Sequence, residues 1–132
     1  MRKIPADRKY TTAHLWFQPQ GNEVGYVGLT DDIQMRLGDL IAVELPREGA
    51  TFSSNDPMAY LEGILDTMEL EAFSNLEIIE VNPKLEIHPD IINRAPYADG
   101  WIFKVKLKGV PRWLDAPGYA EFLEKGIMIE GA

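Results

Sequence analysis

One stretch near the middle of the chain, residues 58–71, constrains the fold most, because it has the pattern of two short strands joined by a tight turn. On its second limb, Met68 and Leu70 alternate with Glu69 and Glu71. This period of two is typical of a strand with one buried face and one solvent-exposed face. The stretch therefore predicts a β-hairpin.

The first limb of this hairpin is more apolar than the second. Its residues divide between one face with Met58, Tyr60 and Ile64 and an opposite face with Ala59, Leu61 and Leu65. Asp66 and Thr67 can close the turn, because a short polar side chain can hydrogen-bond to the nearby backbone. This arrangement places Leu65 at the tip.

Length and charge limit the classes of protein that this chain can represent. With 132 residues, of which 45% are hydrophobic, it can form one ordinary core and needs no second domain. Its net charge of −8 repels nucleic acid phosphates and anionic membranes, so neither is an expected partner. Without cysteine it can form no disulfide and no thiolate metal site. The basic N-terminus is not followed by an apolar stretch of signal-peptide length, and we expect a cytoplasmic protein.

Short apolar runs separated by Pro, Gly and Asn turns predict further strands on both sides of the hairpin. These strands are predicted at residues 10–17, 24–29, 39–45, 51–53, 76–81 and 101–107. Between residues 82 and 100, three prolines exclude a long helix and favour short helical turns.

Two helices are predicted outside the strands. The first begins at Thr30, whose hydroxyl can cap the first amides, and ends at Gly38. Its buried face is assigned to Ile33, Met35 and Leu37. The second is capped by Asp115 and ends at Gly126, with Tyr119, Phe122 and Leu123 on one apolar stripe. Together, the predicted strands and helices indicate a small β-sandwich or barrel with helical appendages.

Several segments, in order, resemble the glycine cleavage system H protein family. They are Lys9-Tyr10-Thr11-Thr12-Ala13-His14-Leu15-Trp16, Val27-Gly28-Leu29-Thr30, Leu37-Gly38-Asp39, Val43-Glu44-Leu45-Pro46, Gly49, Glu80-Val81-Asn82-Pro83-Lys84-Leu85, Pro89, Ile92-Asn93, Pro96-Tyr97, Gly100-Trp101 and Lys104-Val105-Lys106. The resemblance spans roughly residues 9–123. It implies a mainly β (α+β), lipoyl-domain-like fold, a barrel-sandwich hybrid of two small sheets with a short helix in the N-terminal half and a C-terminal helix. One such domain would occupy residues 1–132, with its core at about 9–126.

In the family that this chain resembles, the protein is not an enzyme. It carries an aminomethyl group on a lipoyl arm, which is attached to a lysine at a hairpin tip within the motif Glu-Ser-x-Lys-Ala. Aligned without a gap, that motif falls on Glu62-Gly63-Ile64-Leu65-Asp66, so the glutamate is kept and the lysine is replaced by Leu65. The next turn departs too, because a family pattern of Ser-Pro-x-Ser-Gly becomes Ala72-Phe73-Ser74-Asn75-Leu76.

Leu65 cannot carry the arm, because lipoylation forms an amide with a lysine amine. No lysine lies between Lys9 and Lys84, so a shifted alignment does not supply one. We therefore expect no bound cofactor, no catalytic residue and no metal site. The sequence interpretation is a non-lipoylated paralogue that works as a protein-docking module.

The candidate docking residues are all on the hairpin: Glu62, Gly63, Ile64, Leu65, Asp66, Glu69 and Glu71. The acidic residues could face a basic partner, although an ordinary solvated face would have the same composition. Expected partners are the glycine cleavage enzymes, namely the decarboxylase, the aminomethyltransferase and the dihydrolipoyl dehydrogenase, or lipoate-handling enzymes.

Two other functions stay open from the sequence. The chain could be a lipoyl or acyl carrier modified on another lysine, such as Lys84 or Lys104, in glycine cleavage or in a lipoate-binding system linked to sulfur oxidation. It could also be an enzyme or a small-ligand binder, although no nucleophile and base pair is recognisable. The two histidines, His14 and His88, lack ligand-like spacing, which favours a structural role.

Overall fold

The computed structural model describes residues 2–131, with side chains as far as Lys125. Its strands are β1 (Lys9–Tyr10), β2 (Leu15–Gly21), β3 (Val24–Leu29), β4 (Leu40–Glu44), β5 (Thr51–Phe52), β6 (Pro57–Gly63), β7 (Thr67–Glu71), β8 (Leu76–Val81) and β9 (Phe103–Leu107). Its α-helices are α1 (Asp31–Leu37), α2 (Ile91–Arg94) and α3 (Ala116–Gly131), and a single 3-10 turn spans Pro83–Glu86.

The strands form two antiparallel sheets. The larger has six strands in the order β1-β2-β3-β9-β8-β5, and the smaller has three in the order β4-β6-β7. Both sheets contribute side chains to one core, with Val27 and Ile78 from the larger sheet and Leu61 and Leu70 from the smaller. This confirms the predicted mainly β sandwich with helical additions.

The predicted first strand, residues 10–17, is interrupted in the structure. His14 adopts a positive φ of 67°, and its amide donates to the carbonyl of Thr11. A histidine can adopt this left-handed conformation in a turn, but the conformation cannot continue a strand. Strands β1 and β2 are therefore separate, with a tight loop between them.

A second cluster of apolar side chains lies under α3. The Tyr119 ring stacks on Tyr10 with 5.0 Å between centroids, and Leu123 is buried beside them. The Asp115 cap is confirmed, because its Oδ1 accepts from the amide of Gly118 at 2.8 Å. The predicted end at Gly126 is wrong, since α3 continues to Gly131. A glycine inside a helix costs only about 1 kcal/mol relative to alanine, which is too little to end a helix by itself.

The predicted bounds of α1 are confirmed, but two of its side chains behave differently from the prediction. Thr30 precedes the helix without capping it, because its hydroxyl bonds to the Tyr119 hydroxyl instead. Met35 is exposed, and Asp32 and Gln34 are buried in its place. A buried aspartate here is stabilised by Arg36 one turn later and by Arg2 from the N-terminal segment.

The hairpin of β6 and β7 forms as predicted, with one correction to the first limb. Met58 and Tyr60 were assigned to one face, yet Met58 is buried and Tyr60 is exposed. The pairing of β6 with β7 skips a residue between Pro57 and Ala59. This irregularity re-aims Met58 toward the core, as β-bulges do.

Among the residues that the structure describes, the helices are too short or too polar to cross a membrane.

Candidate functional site

The tip of the central hairpin is a compact turn of three residues, Ile64 to Asp66. The Gly63 amide donates to the Asp66 carbonyl at 2.9 Å, which closes the turn. The Asp66 carboxylate accepts from the amide of Thr67 at 2.8 Å, which confirms that this short polar side chain bonds to the adjacent backbone.

The tip is also tied to the loop that connects α1 to β4. The Ile64 amide donates to the Asp39 carbonyl at 3.0 Å, and the Leu65 amide donates to the Leu37 carbonyl at 2.9 Å. These two bonds satisfy both main-chain donors of the apolar residues at the tip. The tip is therefore fixed against the body of the protein through its backbone.

Two glycines permit this close approach. Gly38, with φ of +72°, lies directly under the tip, and a Cβ there would be 2.8 Å from Leu65 Cγ and 2.9 Å from Ile64 Cγ1. A Cβ on Gly63 would lie 2.1 Å from the Leu37 carbonyl oxygen, much closer than atoms can pack. Of the predicted docking residues, only Gly63 is buried, so it contributes to the shape of the tip and presents no side chain.

The side chains of the tip point largely into solvent. Ile64 is 62% exposed and Leu65 is 71% exposed, and we call this pair the apolar tip. Ile41, the residue skipped in the pairing of β4 with β6, is also exposed one position beyond the partner of Gly63. An exposed cluster of large apolar side chains is a common mark of a protein contact surface.

The outer face of the three-stranded sheet is acidic. Cross-strand neighbours form one row of Glu44, Tyr60 and Glu69, and a second row of Ala42, Glu62 and Thr67. The exposed carboxylates of Glu44, Glu62, Glu69 and Glu71 make up what we call the acidic face. Among the described side chains, none of these four carboxylates forms an ion pair.

A shallow groove of about 290 Å³ crosses the first of these rows and is lined by Glu44, Pro57, Tyr60 and Glu69, among others. Glu44 and Tyr60 were not among the docking residues predicted from the sequence. Their place beside Glu69 depends on the register of β4 against β6, which the sequence pattern does not contain. The local sequence signal that Glu44 is exposed is its place between the apolar residues Val43 and Leu45, which are half-buried in the structure.

Known proteins of the same architecture decide the family. The family model described as "Glycine cleavage H-protein" matches residues 8–125 of the chain. The chain belongs to the glycine cleavage H-protein family.

Individual relatives agree with this assignment. The glycine cleavage system H protein of Pectobacterium carotovorum is 38% identical over 128 residues, which cover 95% of this chain and 98% of the relative. That of Thermus thermophilus is 41% identical over 124 residues, covering 92% and 96%. The crystal structure of a glycine cleavage system H protein from Mycobacterium marinum superposes with a TM-score of 0.82 at 33% identity, covering 89% of this chain and 97% of the other.

A lipoyl group held on a lysine does not fit the tip of this H-protein family member, because no side chain from Ile64 to Asp66 has an amine. Lys84 lies in the 3-10 turn, and Lys104 lies in β9 of the six-stranded sheet. The Lys104 amine sits 5.5 Å from the centre of the Tyr26 ring and opposite Glu80 in the strand pairing. Neither lysine belongs to the three-stranded sheet.

His14 belongs to a network of polar side chains under α3. Its Nδ1 lies 2.7 Å from the Tyr119 hydroxyl, which also bonds to the Thr30 hydroxyl at 2.8 Å. Burial, together with the nearby Arg36 guanidinium, lowers the pKa of His14, and the Asp32 carboxylate opposes this effect. Burial raises the pKa of Tyr119, so its hydroxyl keeps its proton. His14 therefore joins the loop before β2 to α3, which is a structural role.

Proposed function

We propose that this member of the H-protein family is not lipoylated on its hairpin and acts by docking to a protein partner. The observation that carries the proposal is the presence of Leu65 at the tip, within a stretch from Tyr10 to Pro83 that contains no lysine. Lipoylation needs a nucleophilic amine to form the amide, and leucine has none.

The packing of the tip supports this proposal independently of the missing amine. In the motif that the family resemblance implies, a serine stands at the position of Gly63. Here a Cβ at Gly63 would collide with the Leu37 carbonyl, so the serine cannot be accommodated with the tip in its present place. The tip therefore differs from the family motif in the lysine that it lacks and in the room that it leaves for a side chain at position 63.

The kind of partner follows from the exposed groups. The apolar tip offers Ile64 and Leu65 to an apolar pocket, and the acidic face beside it offers four carboxylates without counter-charges among the described side chains. The complementary surface is a cationic one with an apolar pocket at its edge. Candidate partners are the three glycine cleavage enzymes and lipoate-handling enzymes, encountered in the cytoplasm.

The primary test is the intact mass of the protein purified from its native host. The expected result is the mass of the unmodified chain. A mass increased by a lipoyl group would overturn the proposal, and fragment mapping would then show whether Lys84, Lys104 or another lysine carries the group.

Docking is tested with purified decarboxylase, aminomethyltransferase and dihydrolipoyl dehydrogenase from the same host, each titrated in turn. Leu65→Ser removes apolar area from the tip while leaving its backbone unchanged, and we expect it to weaken the complex. Ile87→Ser is the matched control, because Ile87 is as exposed as Leu65, at 77%, but lies after the 3-10 turn. Equal losses for the two variants would refute docking through the tip.

A further inference from the structure

The amide side chain of Asn93 holds the loop on which the apolar tip rests. Asn93 lies in the short helix α2, away from the hairpin in sequence and in secondary structure. Its Oδ1 accepts from the Leu40 amide at 2.8 Å, and its Nδ2 donates to the Gly38 carbonyl and to Gln34 Oε1, both at 2.9 Å. One half-buried side chain therefore bridges the end of α1 and the start of β4.

The same loop supplies the two carbonyls that hold the tip. The Leu37 carbonyl accepts from the Leu65 amide, and the Asp39 carbonyl accepts from the Ile64 amide. Between them lies Gly38, whose carbonyl accepts from the Asn93 side chain. The path from Asn93 to the tip thus consists of one side-chain hydrogen bond, one peptide unit on each side of Gly38, and two main-chain hydrogen bonds. Direct contact between Asn93 and the hairpin is not needed for this effect.

The chemistry of the bridge is specific to asparagine. It requires an acceptor toward the Leu40 amide and donors toward the Gly38 carbonyl and Gln34 Oε1, and a primary amide provides both groups on one short side chain. Asn93→Asp would keep the acceptor but replace the donors by a charged oxygen that faces two other oxygens. Asn93→Ser would remove the donors without adding charge.

We propose that Asn93 is the positioning residue for the apolar tip. By fixing residues 37–40 it fixes the two carbonyls that anchor Ile64 and Leu65, and so it determines where these side chains are presented. Its importance for docking rests on the proposed function. The positioning itself does not, because it concerns only contacts inside this chain.

The first experiment needs no variant and measures amide hydrogen exchange of the wild-type protein by NMR at increasing denaturant. If Asn93 joins loop and tip into one unit, the amides of Leu40, Ile64 and Leu65 open with the same free energy and the same denaturant dependence. Opening of Ile64 and Leu65 at a much lower free energy than Leu40 would overturn the proposal.

The second experiment compares Asn93→Asp and Asn93→Ser with a matched control, Asn82→Asp. Asn82 is a buried asparagine whose side chain, like that of Asn93, bonds to several backbone groups. Its side-chain amide donates to the carbonyls of Asp99 and Trp101 and accepts from the amide of Lys84. Its bonds do not reach the hairpin. Its replacement should therefore lower stability without singling out the tip.

In the Asn93 variants, we expect exchange at Ile64 and Leu65 to accelerate roughly tenfold beyond the change at core amides such as that of Val105, since one lost hydrogen bond is worth about that factor. In Asn82→Asp, the ratio of tip to core exchange should stay at its wild-type value. An unchanged ratio in the Asn93 variants, or the same change in the control, would refute positioning by Asn93. A lipoylated native protein would overturn the proposed function and leave these exchange results unaffected.

Discussion

Gly63 offers the sharpest test of how the tip is built. Gly63→Ser places a Cβ where the Leu37 carbonyl oxygen would be only 2.1 Å away, whereas contacts of real Cβ atoms begin at about 3.0 Å. Either the strand or the α1–β4 loop must move by about 1 Å. Such a movement separates the Leu65 amide from the same carbonyl, which is its hydrogen-bond acceptor.

The cost can be worked out from these contacts. Overpacking a tight site costs about 1–3 kcal/mol, and the lost hydrogen bond adds about 1 kcal/mol. Replacing glycine reduces the freedom of the unfolded chain, which returns about 0.5 kcal/mol. We expect Gly63→Ser to lower the free energy of unfolding by about 1.5–3.5 kcal/mol.

Urea denaturation measures this change, provided that the dependence on denaturant stays the same as in the wild type. The control is Ala42→Ser, because Ala42 is exposed on the adjacent strand opposite Glu62, and a surface change of this kind is usually worth less than about 0.5 kcal/mol. If Gly63→Ser were no more costly than Ala42→Ser, the tip would not be tightly packed against the Leu37 carbonyl, and the serine of the family motif would fit at position 63.

Three further outcomes are expected. Lowering the pH from about 7.5 to about 5.5 should reduce the free energy of unfolding. The reason is that the pKa of His14 lies below its ordinary value of about 6.5 in the folded state, so the unfolded chain binds the proton more readily. His14→Gln should flatten the dependence of the urea midpoint on pH in this range, and an equally steep dependence in the variant would rule His14 out as its source. Leu65→Lys should be modified only poorly by a lipoate ligase, because Gly63 and Asp66 still differ from the serine and alanine of the family motif and these flanking residues belong to the surface that the ligase recognises. Intact mass after incubation measures this, and complete modification would refute it. The double charge reversal Glu69→Lys with Glu71→Lys should weaken binding to a glycine cleavage enzyme, and most strongly at low ionic strength, where surface charges are least screened. An affinity that depends neither on salt nor on the two substitutions would argue against docking through the acidic face.

Much of the framework could be predicted from local patterns in the sequence. The alternation of Met68 and Leu70 with Glu69 and Glu71 identified β7, and Asp115 marked the start of α3 correctly. These signals are local because the side chain and the backbone groups that it serves lie within a few residues of each other.

Features that depend on distant partners could not be predicted in this way. Thr30 has the sequence position of a helix cap, but its hydroxyl serves Tyr119, which lies 89 residues away. The hydrogen bonds of Asn93 likewise depend on α2 packing beside the end of α1, which no local pattern predicts. Gly63 looked like one departure from a motif, and only the 2.1 Å approach to Leu37 shows that the departure is tied to the place of the tip.

The strand register also determines which charged side chains lie next to each other on the two sheets. On the six-stranded sheet, acids and bases lie opposite each other, with Glu77 beside Lys106 and Glu80 beside Lys104. On the three-stranded sheet the carboxylates of Glu44, Glu62, Glu69 and Glu71 have no such neighbours, so its outer face carries four negative charges that no described side chain pairs. A charge distribution of this kind has a dipole, and in the field of a positively charged surface the molecule experiences a torque. It would turn the small sheet and the apolar tip toward such a surface before any atoms touch.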